Sequence, residues 1–465
     1  MARLSYWGLA ASVIAAIGLS QAGAAATKTK TAKTAPAKFQ CNTTLPSTPV
    51  TSALLSSGLP CNAEQIADLP PPPALTPALQ HGFDYYSWLT FLALNAPAKG
   101  GVIGSGKKPG GDATAIWQGW KDLSEIMRPG GIPPTPWGKP TPVPPICKKI
   151  ATPGMPVVSM VGKTPNVLSA TNQPFKTGPL IDQNGQYVRF NIMVNRPMFD
   201  YIVAHKLYSE AGQKAFAGDV DFPGGSVEDG ATGNPAPGNI GAIMIKLAWK
   251  VMGKNDDPTK FHTEAALVYQ PAVKSAGIKE SCGKAVFGLV GMHIAHKTTT
   301  DPQWLWSTFE QVDNDPSMDD VKAGKATGHY NFFDPNCTDC VVNEPPPRPW
   351  NPDVVPFPNG FKNQIERVIP LDEATKTING QFQPLLAGKV WQNYMLISTQ
   401  WPGDPGSKTD PTGLPTPTFL ANTTAETYVQ GRVPQVSSNC IECHNNATDT
   451  VGKPSDFTYI LENAK

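Results

Sequence analysis

Charge is scarce in this chain: 16% of its 465 residues are Asp, Glu, Lys or Arg, and they sum to +1. So weak a field excludes the basic footprint of a nucleic-acid-binding protein and gives no pull toward an anionic membrane surface. The one basic cluster, Lys28, Lys30, Lys33 and Lys38, lies in an Ala/Thr/Pro tract and reads as a solvated linker. Beyond the N-terminal stretch no apolar run approaches the roughly 20 residues that cross hydrocarbon, so no integral span is expected in the mature chain. No Ser/His/Asp order, paired-carboxylate motif or HExxH pattern is present to carry hydrolase chemistry. Residues 101–108 come close to a phosphate-binding loop. However, Lys108 stands where a magnesium-binding Ser or Thr is needed and no strand precedes the glycines, so this is a loop.

Proline and glycine, by contrast, are plentiful at 49 and 42, which makes the chain loop-rich, while 11 Trp and 18 Phe supply bulk for a core. Arg3, the apolar stretch at 7–19 and the small residues at 22–26 read as a cleaved secretory signal over 1–26. A periplasmic or secreted location follows as an expectation. A Pro-rich linker and arm then occupy 27–80, an α+β body 81–420, and a C-terminal segment 421–465. Eight cysteines suit an oxidising compartment. Six of them, Cys41, Cys61, Cys147, Cys282, Cys337 and Cys340, are expected to form three disulfides. Sequence alone cannot choose among their connectivities, although Cys41 with Cys61 is the natural local pair; the second CxxC, Cys337 to Cys340, is followed by Val341 and reads as cysteines of structural disulfides rather than a redox-active dithiol.

The other two stand in Cys440-Ile441-Glu442-Cys443-His444, the CxxCH pattern for covalent attachment of a c-type haem. Two thiols add across the haem vinyl groups, and the adjacent imidazole of His444 is delivered to one axial face of the iron. In an ordinary small cytochrome c the motif lies near the start of its domain, and a later methionine takes the second face. Here the 21 residues after His444 contain neither Met nor His. The iron is therefore expected to be five-coordinate or to receive its second ligand from the body. The leading candidates are His293 and His296 in the run 287–297. Gly288, Gly291 and the branched residues there favour a strand, which would turn the two histidines to opposite faces and put Met292 with His296. His81, His205, His262, His329, Met318 and Met395 are weaker alternatives, and Glu310 is better read as a structural carboxylate than as a proton-transfer group.

Apolar periodicity predicts helices over 81–94, 112–127, 197–208 and 372–386, and β-suited runs over 242–252, 265–269, 285–296 and 389–399. An Asn-Gly turn is expected at 182–186, and the acidic stretch 313–320 fits no EF-hand spacing and reads as a solvated loop. Loops rather than helical crossovers separate the strands, which favours an antiparallel sheet. The expected fold is α+β: a large, irregular, loop-rich body with an antiparallel sheet and several helices, and the C-terminal haem-attachment segment packed on it.

Four stretches resemble a family of exported bacterial proteins described as cytochrome c family proteins. They are Phe83-Asp84-Tyr85-Tyr86-Ser87-Trp88, Gly291-Met292-His293-Ile294-Ala295-His296-Lys297-Thr298, Gln303-Trp304-Leu305-Trp306-Ser307-Thr308-Phe309-Glu310 and Ser438-Asn439-Cys440-Ile441-Glu442-Cys443-His444. The resemblance implies one covalent haem at Cys440 and Cys443, ligated by His444, and brings no substrate with it. The expected function is electron transfer with a redox partner protein or a small-molecule donor or acceptor. The alternatives are a haem-dependent peroxidase or oxidase acting on small or aromatic substrates, and a haem-based sensor or redox subunit docked to a larger exported complex.

Overall fold

Runs of branched and aromatic residues in the middle of the chain assemble one large sheet, and the two faces of that sheet organise everything else. The computed structural model describes residues 40–42, 50–63, 75–104, 114–139, 142–152, 155–159, 174, 177–225, 238–270, 272, 279–348, 360–403, 415–431 and 438–465. The expected signal over 1–26, residues 27–39 of the linker and half of the phosphate-loop-like stretch lie outside these residues. Among the described residues the strands are β1 (Gln40–Cys41), β2 (Lys121–Asp122), β3 (Val157–Ser159), β4 (Arg189–Val194), β5 (Gly238–Asn239), β6 (Ile243–Val251), β7 (Thr263–Gln270), β8 (Ser281–His296), β9 (Leu305–Gln311) and β10 (Tyr394–Gln400). The helices are α1 (Leu75–Leu94), α2 (Leu123–Ile126), α3 (Arg196–Ala204), α4 (Glu210–Ala215), α5 (Met318–Lys322), α6 (Glu373–Phe382) and α7 (Cys440–Asn445).

The main sheet runs β10-β9-β8-β6-β4-β2, antiparallel throughout. The long β8 serves two partners along one edge: its first half pairs with β7 and its second half with β9. A parallel β3 extends the sheet beyond β7. The fold is thus the expected α+β arrangement. β1 and β5 form a separate two-stranded ladder.

Side chains alternate, so each face has its own core. Ile243, Ile245, Leu247 and Trp249 of β6 join Met292 and Ile294 of β8 on the face covered by α1 and α6. Helix α1 is buried from Phe83 to Leu94, its polar Asp84, Ser87 and Thr90 included. Trp88 stacks on Phe382 at 5.2 Å, and Phe91 on Phe309 at 4.2 Å. Met244 and Ala295 look the other way, toward Met198, Phe199 and Ile202 of α3 and toward Ile441, Phe457, Ile460 and Leu461 of the C-terminal segment. No helix among the described residues is long and apolar enough to cross a membrane. Disulfides join Cys41 to Cys61, Cys147 to Cys282 and Cys337 to Cys340.

Three expectations change. The helix over 112–127 is broken: a short 3-10 turn at Ile116–Gly119 leads into β2, and Asp122 then caps the four-residue α2. Trp120 is extended and buried, so tertiary packing overrides the helical period. Only the last part of 389–399 is strand, because Val390–Asn393 forms a 3-10 turn that buries Trp391. In the acidic stretch Asp319 and Asp320 belong to the first turn of α5, where their charges suit a helix N-terminus.

Candidate functional site

The CxxCH residues form α7 and the residue preceding it sets the helix. Asn439 is the N-cap, its side-chain oxygen accepting from the Glu442 amide at 3.0 Å. Ile441, between the two cysteines, is fully buried, and its amide donates to Gln400 Oε1 at the end of β10 at 2.9 Å. The helix is therefore pinned to the sheet by its middle residue. Cys440 and Cys443 lie three residues apart, on one side of a helix. They are the two cysteines outside the disulfides, and both are half-buried. Burial pushes both thiols up, and the nearby Glu426 adds to this.

His444 is held on three sides. Its ring lies 4.3 Å from that of Trp306 on β9 and 5.2 Å from that of Tyr459, whose hydroxyl donates to the Cys443 carbonyl at 2.7 Å. Nδ1 lies 2.8 Å from the Phe457 carbonyl oxygen. Only a protonated Nδ1 can make that bond, so the tautomer is fixed and Nε2 is left with its lone pair. Nε2 has no hydrogen-bond partner among the described residues. Desolvation lowers the His444 pKa to about 4. The Phe457 bond opposes the shift, and Lys246 and His293 add to it. Two uncommitted thiols and a neutral imidazole with one nitrogen anchored and the other open form the donor set that a covalently attached haem requires.

Strand alternation separates the two candidate second ligands. His293 shares its rung with Lys246 of β6 and Thr308 of β9, on the face that carries the C-terminal segment. Its Nε2 is 3.4 Å from Glu426 Oε2, and Lys246 Nζ is 3.9 Å from the other carboxylate oxygen. Desolvation first, then Lys246, takes the His293 pKa down to about 3. His296 faces the opposite way. Its Nδ1 is hydrogen-bonded to the Tyr86 hydroxyl of α1, and its Nε2 is buried without a partner among the described residues. Met292 shares that face and meets Asn95, the residue that follows α1.

The remaining candidates are placed elsewhere. His262 is enclosed by Trp117, Trp249 and Trp391, His205 lies between Tyr201 and Phe216, and His329 is exposed at the rim of another cavity. Glu310 is structural: it is buried, paired with Arg367, and accepts from the amide and hydroxyl of Thr423. That anchor holds the turn carrying Glu426, whose Oε2 also accepts from the Asn422 amide at 2.9 Å. Glu426, Lys246, Tyr459 and the Phe457 carbonyl went unnoticed in the sequence. They belong to no motif, and only packing brings them to α7.

No known family's sequence profile, no curated protein and no solved structure matches the chain.

Proposed function

We propose that the chain is an exported c-type cytochrome of the kind it resembles in sequence, carrying one haem on Cys440 and Cys443 with His444 as iron ligand, and that it transfers electrons. The observation that carries this reading is the state of His444: Nδ1 given to the Phe457 carbonyl at 2.8 Å, Nε2 left open, and two unpaired thiols on the same helix. Three disulfides are in keeping with an oxidising, periplasmic or extracellular setting. When bound, haem supplies a one-electron iron couple. The chain's own residues orient and shield it. Trp306 and Tyr459 fix the plane of the imidazole, the Phe457 carbonyl holds its proton, and Ile441 keeps α7 against the sheet. The electron donor and acceptor would be a redox protein or a small molecule.

His293 favours a second reading. It is on the face of α7, and its Nε2 is 3.4 Å from Glu426. In a carrier His293 would be a second residue holding the haem. If it does not hold the group, the His293 and Glu426 pair would take a proton from a small substrate and return it, as a peroxidase or oxidase needs.

The protein should be made in a host able to attach haem, weighed intact, and its reduced spectrum recorded with and without carbon monoxide. One haem's mass and a six-coordinate, low-spin spectrum indifferent to carbon monoxide support the carrier. In that case His293→Ala opens the site, while His296→Ala leaves the spectrum unchanged. An open site that reacts rapidly with peroxide favours the enzyme. A bare polypeptide overturns both.

A further inference from the structure

The carbonyl that holds the His444 proton belongs to an unusual turn. Asp456 and Phe457 have φ of 52° and 61°, two successive non-glycine residues in the left-handed region. L-residues seldom adopt that conformation, still less in succession, so side-chain contacts must hold it. Asp456 supplies them. Its Oδ2 accepts from the Phe222 amide at 2.7 Å and from Lys297 Nζ at 2.6 Å. Lys297 directly follows β8 and is 5% exposed; Asp456 is 4% exposed. A second carboxylate, Asp221, meets the same ammonium at 2.6 Å but is 56% exposed. The Lys297 amide donates to Ala242 O at 2.9 Å, so the backbone beneath that charge is tied to the sheet.

A short chain of contacts therefore runs from the end of β8 to the imidazole: Lys297 to Asp456, Asp456 to the 456–457 turn, and the Phe457 carbonyl to Nδ1 of His444. A histidine that donates its second N–H to a well-placed acceptor is a more basic ligand through its other nitrogen. A more basic ligand favours the ferric over the ferrous state. Resting on the haem reading above, we propose that Lys297 and Asp456 are positioning residues for His444. Their buried ion pair holds the Phe457 carbonyl on Nδ1 and so strengthens Nε2 as an iron ligand.

The test uses Lys297→Met and Asp456→Asn in the full chain, with Lys250→Met as a control. Asparagine tolerates the left-handed conformation and keeps an acceptor for the Phe222 amide, so Asp456→Asn removes the ion pair with little other change. Lys250 is also buried and paired, with Asp256 at 2.6 Å, but makes no contact with the turn. In haem-loaded protein, both test variants should raise the reduction potential. The expected size is about a tenfold change in the ferric-to-ferrous equilibrium, or about 59 mV, the low end for outer-shell partners of a metal-bound histidine. Lys250→Met should lower stability and leave the potential alone. In chain made without haem attachment, the imidazole 15N shifts should show Nδ1-protonated His444 in the wild type and mixed tautomers in Lys297→Met. Unmoved potentials in both test variants overturn the proposal, as does an equal shift in the control. If the variants fail to take haem, an unchanged Nδ1 tautomer in the haem-free chain overturns it. A wild type without one haem's added mass sinks the parent reading alone, and the tautomer measurement still decides the positioning role.

Discussion

Replacing Arg367 with methionine probes the anchor of the loop that brings Glu426 to the site. The guanidinium is 4% exposed and meets two carboxylates that have no exposure. It donates to both oxygens of Glu310, one bond at 3.2 Å, and lies 3.5 Å from Asp315. Methionine fills similar space but leaves two acids facing each other without a cation. Breaking a buried pair on one side costs about 3–5 kcal/mol, and that loss is expected at pH 8. The sign of its pH dependence follows from linkage. Burial already holds Asp315 up to about 7, with Arg367 opposing the shift. Without the arginine, which opposes the shift, Asp315 should rise further above its unfolded value. A group raised in this way stabilises the fold below its unfolded pKa and loses that contribution as pH rises through the folded one. The deficit should therefore shrink to roughly half on going to pH 5. Adding Glu310→Gln should restore much of the loss at pH 8, because the amide oxygen still accepts from Thr423 without a charge. Urea unfolding followed by far-ultraviolet circular dichroism at the two pH values measures this. A loss under about 1 kcal/mol at pH 8, or one that does not change with pH, refutes the reasoning.

Gly291→Ala tests the close approach of the same loop: a Cβ there would lie 2.3 Å from Thr424 Oγ1 and 3.0 Å from Asn422 Oδ1. Overpacking of this kind should cost about 1–3 kcal/mol in urea unfolding, and a wild-type midpoint would show that the loop yields freely. His262→Leu tests the aromatic enclosure. Desolvation lowers this histidine to about 4 from 6.5. The unfolded chain therefore takes up a proton that the folded chain refuses, and the wild type should lose about 2 kcal/mol from this group between pH 7 and pH 5. The leucine variant should lack that part of the slope. Equal pH dependence in the two proteins, by chemical denaturation, would remove His262 as the cause.

Several elements were legible because their signal is local. Branched residues with Gly288 and Gly291 mark 285–296 as strand, and period-two alternation then sends His293 and His296 to opposite faces. The Cys41–Cys61 bridge joins neighbours in one arm. Elsewhere, local signals misled or fell silent. The 3.6-residue period at 112–127 comes from buried Trp120, Leu123 and Met127, yet the chain there passes through three different conformations. Cys147 reaches Cys282 across 135 residues, a pairing that no spacing rule could single out.

The same division runs through the site. Thiols three residues apart with an imidazole next to the second define which atoms could hold a porphyrin, and that follows from chain connectivity within about one helical turn. Connectivity is silent about everything beyond that turn. The tautomer of His444, its contact with Trp306, and the choice of His293 over His296 to face α7 arise from burial of Ile441, Phe457, Ile460 and Leu461 on one side of the sheet. Those contacts join residues distant in sequence. They exist because apolar surface and buried polar groups must find partners in the folded chain, and only the folded chain shows which partners they find.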